Sequence, residues 1–462
     1  MKPVKNLLLP LLFVLFFACK KESFTTSSSS LLQTSVDTLH FDTVFTSTGS
    51  TSQFIKIFND NRKGIHISSV HLAGGAASPF KINVDGVAGP EVANTDVLAN
   101  DSTYIYVTVS INPTTVNLPF LVRDSIEINY NGNKKFVQLD AYGRNAHFLR
   151  NKTIKTSEVW NNDLPYVILG QFIVDTNATL TINQGCRIYT HADAPFIVNG
   201  TLLVNGEKYD STRVVFTGDR LDDPYRDFPA SYPGIIFTDV SKNNVLNYAI
   251  IKNAYQGIVV TEPSASGTKL TLNETIIDNA YDAGLLGINT SISARNLLVS
   301  NCGKNIQLVK GGAYNFTHCT ATTFSSNFIQ HKEPILAVTN YFNGSVNNLN
   351  ASFRNCIFWA EGNGIVNDEV VVLKQGSAVF NVSFDQVLWR VQTDPANSTK
   401  AGIINNQNPL FDSVNTSRKI FSFRLKDGSP AINKGVNAGV TVDLDGNPRP
   451  VGLPDLGAYE KQ

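Results

Sequence analysis

The stretch GDRLDDPYRDFP, residues 218–229, packs Asp219, Asp222, Asp223 and Asp227 around Arg220, Arg226 and Tyr225. These residue types can serve two chemistries. Two carboxylates facing each other across a glycosidic bond can act as acid and as base or nucleophile. Alternatively, several carboxylates can hold Ca²⁺ while a neighbouring Arg or Tyr neutralises a uronate and takes its proton, which is lyase chemistry. The competing reading is that charges of both signs in one loop neutralise each other in solvent, and it is the simpler one. A second acidic stretch, DLDGN at 443–447, looks like the start of a calcium loop. Its twelfth position is Pro454 rather than a bidentate Glu, so it reads as a turn. Cys186, Cys302, Cys319 and Cys356 are widely spaced and form no CxxC or His/Cys cluster, so no metal site is expected. His191, His318 and His331 have no acidic partner close in sequence, and His40, His66, His71 and His147 are scattered.

What positions the acidic loop is a repeat. NYAIIKNAYQGI, from Asn247, returns as ETIIDNAYDAGL: Ile250, Ile251, Asn253, Ala254 and Tyr255 recur 26 residues on as Ile276, Ile277, Asn279, Ala280 and Tyr281. A further 22 residues bring Leu298-Val299-Ser300-Asn301. Looser echoes follow at YNFTHCTATTF, SFRNCIFWA and VSFDQVLWR, with Cys319 and Cys356 in equivalent places. Periods of 20–50 residues indicate solenoids, propellers or arrays. The Ile/Val/Phe doublets lack the pattern of leucine-rich repeats, and the steps are too short for four-stranded propeller blades. A parallel β-helix fits, with its coils stacked about 4.8 Å apart. Aliphatic side chains would point inward, and Asn253, Asn279 and Asn301 would form a ladder at one corner, where Asn tolerates a left-handed turn. On this reading the acidic loop is an insertion between coils.

Ahead of the coils, from about Val36 to Asn145, short alternating segments such as QFIKIFN, GIHISSVHLAG, STYIYVTVSI and DSIEINY are bounded by Gly, Asn, Asp or Pro, as in an antiparallel sandwich. At the start of the chain, Lys2 and Lys5 precede an apolar run, Leu7–Ala18, followed by Cys19. The stretch KKESFTTSSSS reads as a flexible tether. Lys+Arg and Asp+Glu both number 38, so no charge excess favours nucleic acid.

Five resemblances extend this reading. Ala18-Cys19 after an apolar run resembles the lipobox of bacterial lipoproteins, with Phe16 where Leu is usual; it implies lipidation of Cys19. The 36–145 segment resembles Ig-like modules of exported bacterial proteins, which implies a spacer or interaction role. TLTINQGCRIY, VNGTLLVNGE and the later coils resemble right-handed parallel β-helix proteins of bacterial surfaces, relatives in fold of pectate lyases. NPLFDS, FSFRLKDGSPAINKG and VDLDGNPRPVGLPDLGAYE resemble the choice-of-anchor Q region of exported β-helix proteins. Such a fold hosts many functions. The Gly-His-Gly signature of β-helix pectinases is absent, and Asn-Thr-Asp occurs only at 94–96, ahead of the coils. Asp-Ser/Thr-apolar triplets at Asp37, Asp42, Asp124 and Asp412 resemble O-glycosylation sites of some Gram-negative lineages.

The sequence therefore leads to an all-β chain: signal peptide 1–18, tether 19–35, Ig-like β-sandwich 36–145, and right-handed parallel β-helix 146–462 that includes the choice-of-anchor Q-like region from about 405 to 460. The expected function is that of a lipid-anchored envelope protein of a Gram-negative bacterium, in the outer membrane and displayed outward. It would bind glycans or surface partners without catalysis, as a monomer and without a cofactor. The alternative is a polysaccharide lyase or glycoside hydrolase working through the 219–227 loop, with Ca²⁺ as the one ion that loop could use.

Overall fold

Strict apolar/polar alternation builds the first unit. In Gln53–Asn59, Ile55 and Ile57 are buried and Phe54 and Lys56 face outward; in Asp101–Val109, Ile105 and Val107 are buried between outward Tyr104 and Tyr106. The computed structural model describes residues 22–46, 49–113, 120–264, 267–326, 328–361 and 366–462, and the chain divides into two compact units, 1–145 and 146–462. The first is a β-sandwich. One sheet runs Phe24–Thr25, Gly64–Leu72, Phe120–Tyr130, Asn133–Arg144, Thr38–Phe45, with Glu91–Val97 also on Gly64–Leu72. The other runs Gln33–Thr34, Gln53–Asn59, Asp101–Val109, Phe80–Val84, Val87–Gly89. Their inward faces share one core.

Residues 22–35 are not a tether. Phe24–Thr25 pairs with Gly64–Ile65 and Gln33–Thr34 with Ile57–Phe58. Leu32 is buried and its N–H donates to the Tyr130 hydroxyl. Asn131 and Asn133 donate their amides to the carbonyls of Ser27 and Ser28 at 3.3 and 2.9 Å. The serine run suggests flexibility, but its flanks supply Phe24 and Leu32. Gly64 leaves the space that Phe24 fills, since a Cβ there would lie 2.8 Å from the ring.

The second unit is a parallel β-solenoid, one 24-stranded sheet wound through successive coils. Each coil contributes strands to three faces. In one coil these are Gln256–Thr261, Leu270–Asn273 and Ile276–Asp278. The repeated phrases stack in register: Ile250 on Ile276 on Leu298, and Ile251 on Ile277 on Val299. Ile251, Ile277 and Val299 point into the core. The first member of each doublet points outward, and in the later coils it is also covered, because the 408–462 segment lies against that face. Leu298, Ile357 and Leu388 share a cluster with Phe423, Leu425, Leu444, Leu456 and Tyr459. A parallel sheet buried on both sides reads as a continuous apolar run, which explains the doublets.

Candidate functional site

Every coil must turn three times, and in the middle coils two of the corners take left-handed residues. At one corner stand Asn253, Asn279 and Asn301, with φ of 65, 57 and 53°. Asn279 Nδ2 donates to Asn253 Oδ1 at 2.8 Å, as a ladder requires. Asn301 departs from the expected pattern: its amide donates to Asp278 Oδ1 at 3.2 Å instead of continuing to Asn279. The Asn253 and Asn279 amides also reach the carbonyls of Arg226 and Asp227, at 2.8 and 3.0 Å. The ladder therefore holds the base of the acidic loop.

The loop itself consumes its own charge. Arg220 grips Asp222 through Nε and NH2, both at 2.7 Å, while its guanidinium lies 4.0 Å from the centre of the Tyr225 ring. Arg226 pairs with Asp223 at 2.9 Å, and Lys419 stands 3.5 Å from Asp227. The bond to Asp222 raises the Arg220 pKa, and the guanidinium stays charged. Asp219 bonds through Oδ2 to His191 Nδ1 at 2.7 Å, and burial pushes its carboxyl above the usual range. His191, at the preceding coil's corner, and Lys419 are residues that sequence distance hid from this loop. Similarly, His331 bonds to Glu369 at 2.9 Å, both buried, across 38 positions. Among the described residues no three His, Cys, Asp or Glu side chains gather to hold a metal ion. Cys19 lies outside the described residues.

At the second left-handed corner the side chains differ from coil to coil: Tyr248, Glu274, Asn296, His318, Asn355 and Gln386, with φ of 46–55°. Several of them bind the 408–462 segment. Asn296 donates to Val442 O and accepts from Arg449; Asn355 donates to Val436 O; the Asp455 carbonyl accepts from His318 Nδ1. Arg449 and Glu460 pair at 2.8 Å with both side chains fully buried. The Asp443 carboxylate accepts the N–H groups of Asp445, Asn447 and Glu460, so DLDGN is a turn.

The solenoid's third feature is a groove of about 780 Å³ on the face carried by Leu270–Asn273 and its copies. Its floor is a column of small polar side chains, one per coil: Ser293, Asn315, Ser352, Ser383 and Thr399 pair in register. A parallel column includes Asn350 and Asn381, whose amides bond at 2.8 Å. Lys374 and Phe380 also line the groove, and among the described residues no carboxylate does. The sequence carries a signal for it, outward Ser or Asn between inward Ile, Tyr, Phe, Val or Ala in ISA, YNF, ASF and VSF, which turn composition obscures.

No family model matches this chain and no curated protein matches it. Among solved structures, the PapD-like domain 7 of human CEP192 aligns over 26% of this chain and 87% of its own length, at 10% identity and TM-score 0.18. A family 123 glycoside hydrolase from Clostridium perfringens aligns over 27% and 26%, at 12% and 0.18. The catalytic unit of a GH87 α-1,3-glucanase from Streptomyces thermodiastaticus aligns over 76% and 88%, at 9% and 0.20. Scores this low carry no inference about activity.

Proposed function

We propose that this is a lipid-anchored envelope protein whose solenoid holds a glycan without cleaving it. The observation that supports this is the groove: an open row of hydroxyl and amide groups that can both donate and accept, repeated once per coil, with no carboxylate pair. An extended polyhydroxylated chain can meet such a row with hydrogen bonds, many through water. The right-handed β-helix, the choice-of-anchor Q resemblance of the 408–462 segment and display on the outer membrane belong to the same reading, as does anchoring through Cys19. A screen of the mature chain on neutral and acidic polysaccharides, with and without Ca²⁺, tests it. Retention without new reducing ends or unsaturated products is the expected result, and Ser352→Trp should abolish retention of the neutral ligand. Membrane fractionation of Cys19→Ala against wild type tests the anchor, and an unchanged distribution would sink it.

A second reading rests on His191 and Asp219. A carboxylate on Nδ1 orients the ring and leaves Nε2 to exchange a proton, which a lyase or hydrolase at the acidic loop would need. It requires turnover that disappears in His191→Ala and Asp219→Asn.

A further inference from the structure

The first unit carries a surface that neither the groove nor the acidic loop accounts for. On the sheet containing Gln53–Asn59 and Asp101–Val109, Phe54 lies directly opposite Tyr106, and Lys56 opposite Tyr104. The three rings are 55, 46 and 36% exposed for Phe54, Tyr106 and Tyr104. They form one cluster: Tyr104 and Tyr106 stack with centroids 6.1 Å apart and planes within 18°, and Phe54 closes on both at 5.6 and 6.4 Å. A solvent-facing side of an antiparallel sheet ordinarily carries polar residues, and an exposed aromatic cluster on a rigid sheet marks a binding surface. The unit's other sheet provides the contrast. It too exposes rings, Phe136 opposite Glu127 and Tyr142 opposite Leu121, but among the described residues these two make no ring contact, and Glu127 pairs with Lys134 at 2.7 Å.

Charge narrows the partner. Lys56 Nζ rests 5.4 Å from the centre of the Tyr104 ring and 5.0 Å from that of Phe58, and no carboxylate among the described residues pairs with it. Lys81, two positions along its strand from Asn83, which lies opposite Tyr106, likewise has no ion-pair partner among the described residues. Rings offering flat apolar faces, phenolic hydroxyls at their edges and ammonium groups outside any ion pair beside them complement a chain of pyranose rings that bears carboxylates. The rim of Ser102, Thr108 and Asn83 is polar and leaves little aliphatic surface for the core of a protein interface.

We propose that the face formed by Phe54, Tyr104, Tyr106 and Lys56 binds an acidic, uronate-bearing polysaccharide. This goes beyond the solenoid groove and stands if the groove proves inert. The test is affinity electrophoresis and calorimetry of the mature chain on polygalacturonate in EDTA, with its methyl-esterified form as the same chain without charge and a neutral β-glucan as a third ligand. Polygalacturonate should bind best, and its binding should weaken with salt. Tyr104→Ala/Tyr106→Ala should lower affinity by about tenfold or more, and Lys56→Gln by about fivefold with most of the salt dependence gone. Ser352→Trp should leave acidic binding unchanged, which separates this surface from the groove. Lys56→Gln keeps the test open if the double variant does not fold. Failure of the wild type to bind polygalacturonate overturns the proposal, as does equal binding of the esterified form or undiminished affinity in a folded variant.

Discussion

The acidic loop at 219–227 and the segment at 443–460 draw on the same side chains, aspartates among arginines, and use them in opposite ways. In the loop the partners stay in contact with water: Arg226 and Asp223 are more than half exposed and a few bonds join neighbours in sequence. In the segment Arg449 meets Glu460, Asn296 and the Gly457 carbonyl with no exposed surface, and so connects residues 153 positions apart. Density of charge along a sequence therefore says little about where charge matters. Removal from water decides it, because an exposed pair contributes at most about 1 kcal/mol, whereas breaking a buried one costs about 3–5 kcal/mol.

Arg449→Met is the severest test of that contrast. It strands the Glu460 carboxylate and should cost about 3–5 kcal/mol in urea unfolding; an unchanged midpoint would break the comparison. Asn279→Ala comes next. It loses the bonds to Asn253 and Asp227 and puts Ala at φ 57°, for about 2–3 kcal/mol in all. Hydrogen exchange should quicken in the adjoining coils only, since a solenoid's stability is a sum over neighbours.

Acid should act on the buried side of the comparison through His318. Its Nδ1–H donates to the Asp455 carbonyl and its Nε2 accepts from Asn355 Nδ2, so the ring is neutral, and burial lowers its pKa to about 3. A depressed folded pKa means stability that is fully present above the unfolded value near 6.5 and is lost as pH falls toward 3. At pH 5 that loss is about 2 kcal/mol. Burial raises the pKa values of Asp443 and Asp455, so their contribution runs the other way and increases on acidification. Melting curves of wild type against His318→Asn isolate the histidine, since Asn suits the left-handed corner, and the variant should lose less stability between pH 7 and 5. The smallest effect is expected from Asp222→Ala, which removes a partly exposed pair and should shift stability by less than about 1 kcal/mol. A larger shift, measured by urea unfolding, would give the loop a structural weight that its exposure denies.

The solenoid was legible where coils repeat the same residue for the same reason. Asn253 and Asn279 share a word because both turn the chain left-handed and both present an amide to the next layer. The other left-handed corner was illegible because its side chains answer to the 408–462 segment as well as to each other: Asn296 meets Val442 and Arg449, His318 meets Asp455, and Asn355 meets Val436. The doublets showed a core but not that Leu298, Ile357 and Leu388 look outward onto a second one. Composition misled at residues 22–35, where the buried Leu32 and two short strand pairings outweigh a serine run. At the candidate sites, the acidic loop's self-pairing followed from its own sequence. The His191 contact, the groove and the aromatic tile did not, since each joins residues brought together only by coil or strand register.

The segment 408–462 has a consequence in time. A ribosome, and any exporter that follows it, delivers the coils before the stretch that covers them, so the outward residues Ile276, Leu298, Ile357 and Leu388 meet water until Leu444, Leu456 and Tyr459 arrive. A chain interrupted before that point carries a sticky stripe that the full-length product hides. Chaperones that bind exposed apolar surface would meet that stripe only on unfinished copies.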